Sequence, residues 1–280
     1  MIFMTSLEVK ESILIDKLAQ LDNLVIAYSG GIDSTYLLKI ALDTLGSDKV
    51  LAVVMNSELF LDDEFNKAVD LANDMGAQVL GLEMSELADA KIAANTPKSW
   101  YYSKKLLYKT IKDAVAADGF TTIADGMIMD DNEDFRPGLI ARDEEGVRSF
   151  LQEADLYKAD IRILAKENGI VNWNKVASCS VASRFPYGTR LTQTAVNRVF
   201  ASEKYLREDL GYKTVRVRCH GDLARVELPE TDLQDAWDKK DEISATLRKL
   251  GFNYTTFDMQ AFKSGRMNEV LSTDEKLALV

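Results

Sequence analysis

The sequence predicts an α/β fold, a doubly wound parallel sheet followed by a smaller C-terminal α/β domain. Three observations carry this. Unbroken apolar runs, "NLVIAY" (23–28) and "KVLAVVMNS" (49–57), alternate with helical patterns, and runs without polar alternation suit parallel strands covered on both faces. A glycine pair, Gly30-Gly31, joins the first run to a helix. An irregular stretch at 172–190 then separates this alternation from a short group of strands and helices.

Taken in order, Thr5 and Glu8 form a capping box that opens an amphipathic helix. The strand 23–28 follows, then a helix with Leu37, Leu38, Ala41 and Leu45 at helical spacing and Gly46 at its end. The strand 49–57 completes a β-α-β unit. A helix over 62–75, a strand over 77–84, a helix over 103–118 and a strand over 120–127 continue the pattern. Residues 130–146 hold seven acidic residues among turn formers and read as a long exposed loop. A helix around 155–170 ends the first part. Beyond the irregular stretch come a helix (192–209), strands 214–220 and 223–228, a helix (232–249) and a strand (252–259). The expected domains are 1–188 and 189–280.

With 280 residues, 46% hydrophobic content and 4 Pro, the chain is long enough for a sizeable core. Its net charge of −11 opposes indiscriminate binding to nucleic acid or anionic membrane. No basic leader precedes an apolar stretch, and no run approaches the roughly 20 residues that span a bilayer, so a cytoplasmic protein is expected. Cys179 and Cys219, forty residues apart, give neither a disulfide framework nor a C-x-x-C site. His220 is the only histidine, which disfavours serine-triad chemistry and multi-histidine metal sites.

A strand that ends in Ser29-Gly30-Gly31 and feeds a helix gathers backbone N–H groups at the positive end of that helix, a geometry suited to phosphate. Glycine permits positive φ and the close approach of an anion. Ser29 and Ser34 add hydroxyl groups, and the Asp33 carboxylate can hold a Mg²⁺ that bridges phosphates. The pattern is neither a Walker A loop nor a dinucleotide fingerprint. Cys179 lies in an irregular segment flanked by Ser178, Ser180 and Ser183 and followed by Arg184, polar groups able to favour a nucleophilic thiolate. Cys219, on an apparent strand, reads as a small buried hydrophobe. Arg216 and Arg218 sit at i and i+2, on one face of a strand.

The motif Ser29-Gly30-Gly31-Ile32-Asp33-Ser34 resembles that of the PP-loop ATP pyrophosphatases. The resemblance implies that the loop holds the β and γ phosphates of ATP while a substrate oxygen attacks the α phosphorus. It also implies that Met55 lies against the adenine, Asp125-Gly126 ends a strand beside the nucleotide, Lys158 steadies the phosphates and Arg136 borders the site. "NSELF", "TPKSWYY", "FRPGL", "WNKVASCSVASRFPYG" and "TVRVR" together are similar to the LarE family of ATP-dependent sulfur transferases over nearly the whole chain.

That family resemblance implies adenylation of a carboxylate of pyridinium-3,5-dicarboxylate mononucleotide, for the nickel-pincer cofactor of lactate racemase, followed by attack of Cys179 and loss of its sulfur as the residue becomes dehydroalanine. By the same resemblance Trp100, Ser183, Arg184, Arg216 and Arg218 bind substrate. Glu203, Glu227 and Asp235 hold a metal or move a proton. ATP and Mg²⁺ are the cofactors, and a homo-oligomer, a hexamer, is expected. The rivals are another PP-loop enzyme, such as a tRNA thiolase or an amide-forming synthetase, and a non-catalytic nucleotide-binding protein. A thiolase needs a basic surface, which this acidic chain does not supply.

Overall fold

The protein is described by a computed structural model over residues 5–133, 136–175, 179–263 and 265–277. It divides into two compact units, Met1–Ser85 with Trp100–Ser178 and Glu86–Ser99 with Cys179–Leu279. The break falls at 178/179 instead of 188/189, and residues 86–99 join the second unit.

The first unit runs α1 (Ser6–Leu18), β1 (Leu24–Ala27), α2 (Ile32–Leu45), β2 (Val50–Asn56), α3 (Asp62–Asp74) and β3 (Gln78–Glu83). After α4 (Ala90–Ala93), which belongs to the second unit, it continues with α5 (Ser99–Val115), β4 (Ile123–Ala124), α6 (Gly138–Glu144), α7 (Phe150–Glu153) and α8 (Lys158–Glu167). The four strands are parallel in the order β3-β2-β1-β4. Successive residues of β1 serve opposite faces: Leu24 and Ile26 pack with Leu14, Leu37, Phe150 and Ile161, and Val25 packs with Val53, Ile111 and Val115. Helices therefore cover both faces, as the unbroken apolar runs require.

Local signals account for the ends of these elements. The Glu8 N–H donates to Thr5 Oγ1 at 3.2 Å and the Thr5 N–H donates to Glu8 Oε2 at 2.6 Å, which completes the capping box of α1. Gly46, at φ +85°, ends α2 with its N–H on the Leu42 carbonyl. The expected strand 120–127 shrinks to two residues, because its outer edge meets only Arg148: the Asp125 N–H donates to the Arg148 carbonyl and the Arg148 N–H to that of Ile123, both at 2.9 Å. The expected acidic loop contains α6, whose buried side is only Gly138 and Ala141.

The second unit holds α9 (Gln193–Glu208), β5 (Arg216–His220), β6 (Leu223–Glu227), α10 (Glu230–Asp238), α11 (Lys240–Lys249), β7 (Tyr254–Phe257) and α12 (Thr273–Leu277). The strand order is β5-β6-β7, with β5 antiparallel and β7 parallel to β6. One helix was expected over 232–249; the backbone instead breaks at Lys239. Residues 86–99 are tied in by Asn95, whose side chain donates to the carbonyls of Phe185 and Pro186.

Candidate active site

In the first unit the order of strands reverses about β1, which has β2 on one side and β4 on the other. Crevices at the carboxyl ends of strands flanking such a reversal are where open α/β sheets take ligands. Ser29 to Ser34 occupy that place. Gly30 adopts φ +64°, and a Cβ there would stand 2.7 Å from Ala68 Cβ on α3, so this position accepts only glycine without strain. Gly31 caps α2 with ordinary extended angles. Its carbonyl accepts from Thr35 Oγ1 at 2.7 Å and Ser34 Oγ at 3.2 Å, while Ser29 Oγ and Ser34 Oγ stand 3.1 Å apart. The first amides of α2 have no acceptor within the helix, and the helix dipole adds positive potential there.

Lys158 Nζ donates to Asp33 Oδ2, and the Lys158 N–H donates to Asp130 Oδ2 at 2.8 Å. Asp33 Oδ1 is buried without a hydrogen-bond partner among the described residues. Burial pushes the Asp33 carboxyl above its usual range; Lys158 draws it back, and Asp131 and Asp130 push it further up. An orphaned, buried carboxylate oxygen among further acids is short of cationic charge, which fits a Mg²⁺ at this position.

Of the other expected nucleotide residues, Met55 is half-buried at the carboxyl end of β2, and Arg136 pairs with Asp131 at 3.0 Å. Asp125 is turned inward: its Oδ2 accepts from Tyr108 Oη and its Oδ1 from Ser149 Oγ, both at 2.6 Å. It anchors the chain beyond β4. A Cβ on Gly126 would meet the Ser34 amide nitrogen at 2.8 Å, so this glycine lets the β4 end pack against the loop. Trp100 is half-buried in the first turn of α5.

The second unit carries the thiol segment. Cys179 is exposed and Cys219 buried; Ser178 lies outside the described residues. Arg184 is buried, not open to a ligand. It pairs with both oxygens of Glu203, at 2.9 and 3.2 Å, and its Nη1 donates to the Cys179 carbonyl at 3.3 Å and to Ser183 Oγ at 2.8 Å. It thus fixes the backbone that bears the thiol. Glu203 sits on the buried face of α9 with Val196, Val199 and Leu206, and also receives Arg207 Nη1 at 3.1 Å and the Val217 N–H at 3.0 Å. Burial pushes its carboxyl up, but Arg184, Arg216 and the Val217 N–H together more than offset this and the group is held below its ordinary value.

Arg218 Nη2 donates to the fully buried Glu227 at 2.7 Å and its Nη1 to the Ser183 carbonyl at 2.6 Å. Glu227 further pairs with Arg225 at 3.2 Å, and Asp235 accepts from Tyr212 Oη and Lys239 Nζ, each at 2.7 Å. Glu203, Glu227 and Asp235 are therefore each bound to separate partners. Among the described residues no three His, Cys, Asp or Glu side chains gather as a metal site. Arg216 differs: it has no carboxylate within ion-pair distance among the described residues, its Nη1 donates to the Val215 carbonyl at 2.9 Å, and it lies 5.2 Å from the centre of the Phe262 ring. Burial and the neighbouring Arg184 depress its pKa, opposed by Glu203 and Cys179. Sequence reasoning missed Asn172 and Lys175, whose contacts cross to the glycine loop from 142 and 145 positions away.

Comparison with known proteins agrees with this arrangement. The NAD synthase family model matches residues 9–110, which include the glycine loop. An uncharacterized protein of Methanocaldococcus jannaschii is 27% identical over 241 residues, 86% of this chain and 91% of its own length. An uncharacterized protein of Synechocystis is 37% identical over 255 residues, 90% and 94%. A protein of Lactiplantibacillus plantarum named pyridinium-3,5-bisthiocarboxylic acid mononucleotide synthase is 53% identical over 269 residues, 96% of this chain and 97% of its own. Identity of that extent over nearly the whole chain establishes that the chain belongs to the pyridinium-3,5-bisthiocarboxylic acid mononucleotide synthase family.

Proposed function

We propose that the chain is an ATP-dependent sulfur transferase that converts a carboxylate of pyridinium-3,5-dicarboxylate mononucleotide to a thiocarboxylate with the sulfur of its own Cys179, in the making of the nickel-pincer cofactor. The observation that carries this reading is one exposed cysteine, within electrostatic reach of an arginine that has no carboxylate partner among the described residues, in a chain that also carries a phosphate loop. The kinship to the Lactiplantibacillus synthase supports it.

The α2 amides, Ser29, Ser34 and Lys158 bind the β and γ phosphates, and Met55 and Arg136 border the nucleotide. Asp33 would hold Mg²⁺, which supplies charge neutralisation of the phosphates when bound. A substrate carboxylate oxygen attacks the α phosphorus, pyrophosphate leaves, and an acyl adenylate forms. Arg216, with Ser183, orients the acidic substrate. Cys179 Sγ attacks the acyl carbon and the C–O bond to AMP breaks, giving a thioester. A base removes the Cys179 α proton; that electron pair forms the Cα–Cβ double bond as Cβ–Sγ breaks, and the sulfur departs with the thiocarboxylate. Each chain thus acts once, left as dehydroalanine.

In this reading the second unit serves substrate binding and oligomerisation, and the chain works as a hexamer in the cytoplasm; sedimentation that finds a monomer would remove the hexamer. No helix among the described residues is long and apolar enough to cross a membrane. Intact-protein mass spectrometry after turnover is the decisive test. The chain should lose the elements of hydrogen sulfide at Cys179, and an unchanged mass beside full thiolated product would exclude sacrifice.

A further inference from the structure

Two polar residues with no part in the steps above converge on the back of the glycine loop. Asn172 Nδ2 donates to the Gly30 carbonyl at 3.1 Å and to Thr35 Oγ1 at 3.3 Å. Lys175 Nζ donates to the same carbonyl at 3.4 Å and pairs with Glu64 at 2.9 Å. The turn that carries them is itself fixed. Trp173 packs against the main core beneath Lys166, whose Nζ is 5.0 Å from the ring centre, and the Lys175 N–H donates to the Asn172 carbonyl at 2.9 Å.

The geometry of the peptide unit gives these contacts a consequence. A trans peptide is planar, with its C=O and N–H directed oppositely. Holding the Gly30 carbonyl from behind therefore aims the Gly31 N–H toward the other side, where Ser29 Oγ accepts from it at 3.3 Å. The next carbonyl, that of Gly31, is held by Thr35 and Ser34, which directs the Ile32 N–H in the same manner. Glycine itself does little to fix its peptide planes. Within the loop Ser29 Oγ holds the N–H end of the Gly30–Gly31 plane, and Asn172 and Lys175 are the side chains in place to hold its carbonyl end from outside.

We infer that Asn172 and Lys175 are positioning residues for phosphate binding, holding the Gly30 carbonyl so that the Gly31 amide faces the anion before the nucleotide arrives. A donor that is already aimed has only to exchange Ser29 Oγ for the anion, without turning its peptide plane. The inference rests on the proposed function only in taking the phosphates of ATP as the ligand of the loop, and owes nothing to the sulfur chemistry.

The test uses the full-length protein, calorimetric titration with inorganic pyrophosphate, and single-turnover rates of pyrophosphate release against ATP concentration, whose half-saturating concentration and maximum stand for KM and kcat because each chain acts once. N172A and K175M should each raise the pyrophosphate Kd about tenfold, the loss of one charge-assisted or well-aligned hydrogen bond. The KM for ATP should rise by a similar factor with kcat little changed. K175R should recover most of the loss, and the double variant should fall short of the product of the two because both donors share one acceptor. A purely structural role would lower the melting temperature and leave pyrophosphate affinity in the folded protein intact. Should N172A fail to fold, K175M, with its partly exposed side chain, decides alone. Parental Kd and KM in the folded variants would overturn the inference while leaving thiolation untouched. Weakened pyrophosphate binding with no thiolated product from any form would instead sustain it and overturn the sulfur-transfer reading. A parent protein that binds no pyrophosphate would overturn both.

Discussion

Replacement of each loop glycine by alanine should separate the constraint of the fold from that of the ligand. At Gly30, with φ +64°, a side chain incurs left-handed strain of about 1–2 kcal/mol. Its Cβ would also meet Ala68 at 2.7 Å from Cβ and 3.0 Å from Cα, atoms of α3 that cannot rotate away, for a further ~1–3 kcal/mol of overpacking. Loss of glycine's freedom in the unfolded chain returns about 0.4–1 kcal/mol. The net expectation is a loss of about 1–5 kcal/mol, a substantial share of the roughly 5–15 kcal/mol that holds a domain together. Gly31 has φ −76° and ψ 161°, and its Cβ would meet only Ser29 Oγ, at 3.3 Å. G31A should cost under about 1 kcal/mol. Urea denaturation reads the difference as a shift in midpoint at constant slope. A G30A midpoint equal to the parent's, or a G31A loss as large as that of G30A, would refute the reasoning.

Other consequences can be measured on the second unit. Because the Glu203 carboxyl is held below its ordinary 4.5, its ionised form favours the folded state; that stability is complete above 4.5 and is lost as pH falls through the lower folded value. The unfolding free energy of the parent should therefore drop on acidification below 4.5 more steeply than that of E203Q, and parallel curves would exclude the linkage. R218M should approach the ~3–5 kcal/mol cost of breaking a buried pair, softened by Arg225 remaining on Glu227, whereas R216M should leave the denaturation midpoint near the parent's and raise the KM for the dicarboxylate substrate. The reverse order of stabilities would show that the two arginines have been assigned the wrong way round. Iodoacetamide should label Cys179 in the native protein and Cys219 only in urea, since burial both shields the latter and raises its pKa; equal native labelling would contradict that placement.

The parts of the fold legible in the sequence were those whose burial is complete. Leu24, Val25 and Ile26, and Val50 through Val54, are covered on both sides, so their apolar runs are unbroken. Elements that bury little left weaker marks. In α6 the inward side is Gly138 and Ala141, which acidic neighbours outweigh. The apolar stretch around β4 reads as a long strand, yet it forms only two residues of sheet because its outer edge meets only Arg148, and Asp125 just beyond turns in toward Tyr108 and Ser149. Nothing in "DKK" announces the break at Lys239, for no glycine or proline stands there. The glycine loop was legible because its six residues are contiguous. Its clamp was not, since Asn172 and Lys175 reach it from the far end of the unit.

The carboxylates explain why residue type alone overstates the candidate site. A buried acid without a cation is too costly to retain, and here Glu203 and Glu227 each engage more than one arginine. Those acids are occupied in holding the fold, and so are Arg184 and Arg218. Around Glu203 the count is uneven, however: the guanidinium groups of Arg184, Arg207 and Arg216 all act within its reach, three cations against one carboxylate. Arg184 and Arg207 contact that carboxylate directly and Arg216 does not. The guanidinium that Glu203 does not contact is thus the one whose environment already disfavours its ionisation. An anion beside it would offset that charge, and the proposed reaction provides one in the acidic substrate.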